Sequence, residues 1–153
     1  MLGKFMEGKP SPKEEDYLRA LYEVIKQKGF ARVKDLAREL GRKPSTIVEM
    51  VKKLQEEGYV NYEKYGGITL TPRGKETAEI IEKRHDTFLR FLKIVMVPEE
   101  IALRDAHILE HKLDPKTILQ FIRLVEFLET FYAQSFLEEF KEYCRKKESS
   151  TRE

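Results

Sequence analysis

Two short amphipathic segments joined by a tight turn lie within residues 33–58 and limit the folds open to this chain. Val33–Leu40 carries apolar residues at helical spacing, and the next four residues, GRKP at 41–44, form a turn. A second helix follows, with Ser45 or Thr46 as its predicted N-cap and Gly58 as the residue that closes it. Two helices joined by a short turn that contains glycine are a helix-turn-helix.

The segments on either side of these helices complete a recognisable unit. Tyr59–Glu63 alternates apolar and polar residues, residues 64–67 (KYGG) suit a hairpin turn, and Ile68–Leu70 returns as a second strand. Upstream, Ser11 and Pro12 predict the N-cap and first residue of a longer helix that Gly29 ends. A helix, a helix-turn-helix and a hairpin in this order predict a winged helix over residues 1–72.

The remainder of the chain is predicted to be helical. Apolar residues recur at helical spacing from about Arg73 to Val95, from Pro98 to about Lys112, and again after Asp114. The last segments are apolar on more than one face, so they need a second surface to cover them. We interpret that surface as a homodimer interface, with an intramolecular core as the alternative. The fold class is therefore mostly α: a winged helix-turn-helix with a small β-hairpin wing, then an all-α domain at 73–148 and a disordered tail at 149–153.

Charge is divided unequally between the two halves. Residues 1–75 carry 16 Lys and Arg against 11 Asp and Glu, a balance of +5, and residues 76–153 carry 13 against 16, a balance of −3. The basic half is the one suited to a polyanion. Double-stranded DNA is the predicted partner because a helix-turn-helix reads bases with its second helix.

The residues predicted to contact DNA fall on that second helix, its turn and the hairpin. Ser45, Thr46 and Glu49 can hydrogen-bond to base edges, whereas basic side chains suit phosphates, which give affinity but no sequence information. A solvated basic face is the alternative interpretation. The full predicted set is Arg42, Lys43, Ser45, Thr46, Glu49, Lys52, Lys53, Lys64 and Arg73.

Two of the three histidines lie four residues apart with a carboxylate between them. His107, Glu110 and His111 would share one face of a helix, because residues three and four apart are neighbours there. The third histidine, His85, lies upstream. Imidazole and carboxylate together suit first-row divalent metals, so the spacing favours a metal site over a solvated polar face.

The chain resembles a known family, the metal-dependent repressors related to the diphtheria toxin repressor, and above all its shorter manganese transport regulator branch. The resemblance spans roughly Ser11 to Leu113. It is carried by residues 15–19 (EDYLR), 30–37 (FARVKDLA), 62–67 (YEKYGG), 70–75 (LTPRGK), 83–85 (KRH) and 110–111 (EH). This branch is the short form, which lacks a C-terminal SH3-like domain.

The resemblance implies a homodimeric repressor of metal-ion homeostasis genes that binds operator DNA when loaded with Mn²⁺ or Fe²⁺, with Zn²⁺ as an alternative. The metal positions carried over are Asp16, His85, His107, Glu110 and His111. The chain departs from the manganese branch at Arg19 and at His107, where that branch has glutamates. Since Asp16 belongs to the DNA-binding half and the other positions to the second half, the implied metal ties the halves together and converts metal binding into DNA affinity.

Two other functions fit part of the sequence. The segment from His107 to His111 matches H-x-x-E-H, the inverted zinc-protease motif, in which Glu110 would be a general base. A winged-helix regulator that senses an organic ligand would bind DNA without any metal. We favour the metal-dependent repressor and expect no enzymatic activity, because a hydrolase leaves the winged helix unexplained.

The remaining features predict a cytoplasmic protein. The single cysteine, Cys144, suits a reduced compartment, and no apolar run approaches the roughly 18 residues of a membrane span. The first residues contain lysines but no apolar segment typical of a signal peptide.

Overall fold

The computed structural model describes residues 9–152, and the chain divides into two compact units between Glu82 and Lys83. Residues 9–82 of the first unit form three helices and a hairpin, followed by the start of a long fourth helix. Their bounds are α1 Pro12–Lys28, α2 Val33–Leu40, α3 Pro44–Glu56, β1 Val60–Glu63, β2 Gly67–Leu70 and α4 Pro72–Ile94. This is the predicted winged helix, with α3 as the recognition helix and the β1–β2 hairpin as the wing.

Local signals define the ends of α1 as predicted. The Ser11 side chain accepts a hydrogen bond from the backbone N–H of Glu14 at 3.2 Å, and Pro12 is the first helical residue. Gly29 ends the helix in the left-handed region with a φ of 85°, which glycine adopts without steric penalty. These two ends set the length of α1 before any tertiary packing.

The predicted N-cap of α3 is wrong. The helix begins at Pro44, with Lys43 as the N-cap residue in an extended conformation, so Ser45 and Thr46 lie inside the first turn. A proline at the first helical position has the required φ and lacks an N–H that would go unpaired, and it keeps the preceding residue extended. Pro44 therefore outweighs the capping preference of the two hydroxyl residues.

The wing is a two-stranded antiparallel sheet whose register runs from Val60 opposite Leu70 to Glu63 opposite Gly67. Its inner face and the three helices form one apolar core. The buried members include Leu18, Leu21, Leu36, Ile47, Val51, Leu54, Tyr59, Val60 and Ile68. The core fixes α3 against α1 and α2, which leaves the opposite face of α3 open to solvent.

The second unit comprises the rest of α4 and three further helices. These are α5 Glu99–Lys112, α6 Pro115–Phe131 and α7 Ala133–Ser150. Phe88 and Leu92 of α4 are buried with Ala102 and Ala106 of α5 and Ile118 of α6. None of the helices in residues 9–152 is long and apolar enough to cross a membrane.

The unit boundary lies ten residues beyond the domain boundary expected from the sequence at 72/73. Ala78 and Ile81, in the first half of α4, are buried in the core of the winged helix, so this half packs with the first unit. At the other end, α7 continues through Ser150, two residues into the segment predicted to be disordered. Glu153 lies outside the described residues.

An apolar face on α6 stays exposed in the single chain. Leu119, Leu124, Phe127 and Phe131 are all exposed, and Phe131 keeps 69% of its surface. Phe127 and Phe131 also contact each other, with ring centroids 5.3 Å apart. Exposed apolar surface of this kind is typical of a face that a partner covers.

Candidate metal centre

Helix α5 brings three of the predicted metal ligands together. His107, Glu110 and His111 lie on consecutive turns of one face, and their ligand atoms are within 4.8 Å of one another. The two imidazole rings meet edge to face, with centroids 4.8 Å apart. The helical spacing read from the sequence is thus sufficient to assemble this part of the site.

The carboxylate of Glu110 lies at the centre of this cluster. The residue is 2% exposed, and its Oε2 is 3.0 Å from Nδ1 of His85, which projects from α4. Its other oxygen, Oε1, is 3.4 Å from Nε2 of His111. Each of these two imidazole nitrogens can donate a hydrogen bond to Glu110 in one tautomer. In the other tautomer its lone pair is available to bind a cation together with Glu110.

Packing within the second unit holds His85 in place. Three residues further along α4, Phe88 packs on Phe121 of α6 with ring centroids 5.5 Å apart. On the exposed side of α4, Arg90 pairs with Asp86 at 3.0 Å and with Glu129 of α6 at 2.6 Å. These contacts fix the direction in which α4 presents its histidine to α5.

The donor set fits a first-row divalent cation. Three imidazoles and one carboxylate are ligands that such metals accept, and a site lined by both excludes neither manganese nor iron nor zinc. Burying an ionised carboxylate is unfavourable unless a positive charge compensates for it. A divalent cation held by this cluster would lie beside the Glu110 carboxylate, and His107, which is exposed, forms the solvent side of the cluster.

Asp16, the fifth predicted ligand, belongs to the first unit. It lies on α1, is half-buried, and precedes Arg19 on the same helix by three residues. Its part in the metal site remains a prediction.

The predicted DNA-contacting residues surround α3 and the wing. All are exposed except Thr46, which is half-buried, so the recognition helix presents the expected polar face. Arg73 has an additional structural role, because its guanidinium donates to the Glu57 carbonyl oxygen at 3.0 Å and to the Tyr59 hydroxyl at 3.3 Å. Lys53 also has an intramolecular partner, with its amine 3.3 Å from Glu14 Oε1.

The sequence did not predict the environment of Glu14. This carboxylate is buried, and it hydrogen-bonds to the side chain of Glu57 at the end of α3. The hydrogen bond to Glu14 raises the pKa of Glu57 to about 7. Burial opposes the ionisation of Glu14, yet hydrogen bonds with Glu57, Ser11 and Lys53 hold the pKa of Glu14 below its usual value. Two carboxyl groups with opposite pKa shifts therefore lie side by side at the end of the recognition helix.

Comparisons with known proteins agree with this architecture. The family model for the iron dependent repressor N-terminal DNA binding domain matches residues 9–68, and the model for the metal binding and dimerisation domain matches residues 71–131. Among curated relatives, the HTH-type transcriptional regulator MntR of Lysinibacillus sphaericus is 39% identical over 120 residues, which cover 78% of this chain and 86% of the relative. MntR of Bacillus pumilus is 40% identical over 119 residues, covering 78% of this chain and 83% of the relative.

A solved structure shows the same fold. The manganese regulator SloR aligns with a TM-score of 0.65 and 25% identity, over 78% of this chain and 55% of that chain. The chain belongs to the iron-dependent repressor family. It is a metal-dependent, DNA-binding transcriptional repressor, and two similar solved structures, the manganese regulator SloR and a manganese-dependent repressor in complex with manganese, support manganese more than iron as the metal. The predicted fold class, family, operator DNA, homodimer and divalent metal cofactor are confirmed at this level.

Proposed function

We propose that a divalent metal ion, held by the cluster around Glu110, sets the affinity of this repressor for its operator. The observation that carries the proposal is the burial of the Glu110 carboxylate between the imidazoles of His85 and His111. A repressor that used the second unit only for dimerisation would have no need of an ionisable group there.

Each residue of the cluster has a definite part in the proposal. His85, His107 and His111 would offer neutral imidazole nitrogens, and Glu110 would offer the one negative charge among these four. When bound, a divalent metal would supply two positive charges beside that carboxylate, held by His85 from α4 and by His107, Glu110 and His111 from α5. Because imidazoles must be unprotonated to bind metal, metal affinity and operator affinity should fall together in acid.

We further propose that Asp16 is a ligand of the same ion. The support is the match of residues 15–19 to the family, together with the half-buried position of Asp16 on α1. A ligand on α1 would make metal binding depend on the arrangement of the winged helix. If metal favours the arrangement of the winged helix that binds DNA, then by thermodynamic linkage metal binding raises the affinity for DNA.

Manganese is the metal we propose first, since SloR is a manganese regulator and a second similar structure is a manganese-dependent repressor in complex with manganese. Ferrous iron is the second choice. The three imidazoles of the cluster make it richer in nitrogen than sites that Mn²⁺ prefers, so a titration must compare both ions with Zn²⁺.

We propose that the protein has no enzymatic activity and acts in the cytoplasm, where the operator lies. Both MntR relatives are transcriptional regulators, and the H-x-x-E-H pattern is accounted for by the cluster on α5. In the hydrolase alternative Glu110 is a base beside the metal, not a ligand. In the alternative with an organic effector, chelation of metal leaves operator binding unchanged.

Substitution of Asp16 by alanine tests the proposed coupling. The three histidines and Glu110 stay in place, so the variant should still bind metal, more weakly, while metal raises its operator affinity much less than in the wild type. Calorimetry measures metal affinity, and fluorescence anisotropy measures operator affinity with and without saturating Mn²⁺. Glu23→Ala, which removes a carboxylate from the same helix, is the matched control. A variant at Asp16 whose DNA binding is still fully activated by metal would mean that this residue is a surface carboxylate.

A further inference from the structure

A cavity of about 260 Å³ opens within the first unit beside the recognition helix. It lies between α1 and α3, on the side where α3 presents residues predicted to meet DNA. Its lining consists of Lys13 and Tyr17 from α1 and Thr46, Glu49, Met50 and Lys53 from α3. None of these residues belongs to the candidate metal site, and neither Lys13 nor Tyr17 belongs to the predicted DNA-contacting set.

The hydroxyl of Tyr17 is the feature of the cavity that calls for a ligand. Tyr17 is 2% exposed, and its hydroxyl has no hydrogen-bond partner among residues 9–152. A buried hydroxyl without a partner is unfavourable, and most such groups in proteins are paired. A ligand that enters the cavity and offers an acceptor atom would remove this penalty.

The charges around the hydroxyl indicate which acceptor. Lys13 and Lys53 bring two amines into the lining, and Glu49 brings one carboxylate. Burial raises the pKa of the Tyr17 phenol, and the charge of Arg42 opposes that rise only in part. The phenol is therefore a neutral donor at physiological pH. Lys13 and Arg42 are the cations near it, since Lys53 already pairs with Glu14. An anionic oxygen is the acceptor that this arrangement favours.

We propose that this cavity receives a phosphate group of the DNA backbone, to which the Tyr17 hydroxyl donates while Lys13 and Arg42 supply positive charge. The inference rests on the proposed function in one respect, namely that α3 is the helix that binds DNA. Glu49 disfavours a freely diffusing anion, whereas a phosphate fixed by the duplex is held there by the other contacts of α3. Phosphate contacts of this kind set the position of a recognition helix without reading sequence.

Tyr17→Phe tests the proposal, because it removes the hydroxyl and keeps the buried ring. With saturating Mn²⁺, we expect operator affinity to fall about tenfold, as for loss of a hydrogen bond to a charged group. Affinity for an unrelated duplex should fall by the same factor. The salt dependence of binding should not change, since phenol carries no charge, whereas Lys13→Gln should flatten its slope by about one unit.

A set of operator duplexes, each with one neutral methylphosphonate, locates the contact. At one backbone position the methylphosphonate should weaken operator binding by the wild type about tenfold and leave binding by the Tyr17→Phe variant unaffected. Tyr22→Phe is the matched control, because Tyr22 lies on another face of α1 and packs against the core. Metal affinity and thermal stability of each variant are measured alongside.

Three results would overturn the proposal. The first is an operator affinity of Tyr17→Phe equal to that of the wild type, and the second is a set of methylphosphonates that weaken both proteins equally at every position. The third is that inorganic phosphate stabilises the protein only when Tyr17 is present, although DNA binding does not require Tyr17. Failure of the proposed function shows differently, as wild-type operator affinity that does not respond to Mn²⁺. In that case the operator affinities of Tyr17→Phe and the wild type are compared without metal, and their difference still tests the phosphate contact.

Discussion

Replacement of Glu110 by glutamine should separate metal binding from folding. The amide has the shape of the carboxylate and can still accept a hydrogen bond from His85, whose Nδ1 lies 3.0 Å from Glu110 Oε2. The metal-free variant should therefore be about as stable as the metal-free wild type. What the variant loses is the one negative charge that His85, His107 and His111 cannot replace.

The size of the effect follows from the place of Glu110 in the cluster. Residues that only support a metal ligand change metal affinity by about 10- to 100-fold, and a buried direct ligand belongs at the upper end. A loss of about 100-fold removes about 2.7 kcal/mol of the stabilisation that excess metal confers. For a chain of this length each kcal/mol corresponds to about 2–4 °C, so the metal-induced rise in Tm should shrink by about 5–10 °C.

Thermal unfolding with and without Mn²⁺, at matched free metal, measures this difference, and calorimetry gives the affinity directly. Glu100→Gln is the matched control, because Glu100 is an exposed acid in the first turn of the same helix. If Glu110→Gln kept the full metal-induced rise in Tm, Glu110 would not be a ligand. If it also abolished a hydrolytic activity of the wild type, the zinc-hydrolase alternative would gain.

Further predictions concern the recognition helix and the stability of the first unit. Lys52→Ala should weaken binding to all duplexes alike and flatten the salt slope by about one unit, whereas Glu49→Ala should alter base preference, as competition binding would show. Because the pKa of Glu57 is raised from 4.5 to about 7, the folded state binds the extra proton and stability falls as pH rises through that window. Glu57→Gln should flatten this decline in denaturant titrations, and an unchanged decline would place its origin elsewhere. Gly74→Ala should lower stability by about 3 kcal/mol or more in the same titrations, because the added Cβ would clash with the Tyr59 carbonyl oxygen.

Much of the fold could be predicted because its signals are local. Ser11 and Gly29 define α1 through contacts within one turn of the chain, and the glycines of the wing allow the hairpin to close. The start of α3 was missed because two local signals compete there. Pro44 determines the backbone on both sides of itself, and a capping side chain cannot override that constraint.

The part of the candidate site that lies on α5 was predictable because its signal is also local. His107, Glu110 and His111 share a helical face whatever the helix packs against. The meeting of His85 with Glu110 could be expected only from the resemblance, since 25 residues separate them. The Glu14–Glu57 pair and the interactions of Arg73 had no signal in the sequence, because they join residues that only the packing of α1, α3 and α4 brings together.

Operator affinity of the chelated protein, titrated separately with Mn²⁺, Fe²⁺ and Zn²⁺, shows whether a bound metal controls DNA binding. We predict that the metal-free homodimer binds operator no better than unrelated DNA, and that Mn²⁺ restores specific binding at the concentration that fills the Glu110 cluster. Equal operator affinity before and after chelation would rule out activation by metal and favour a repressor that responds to another effector.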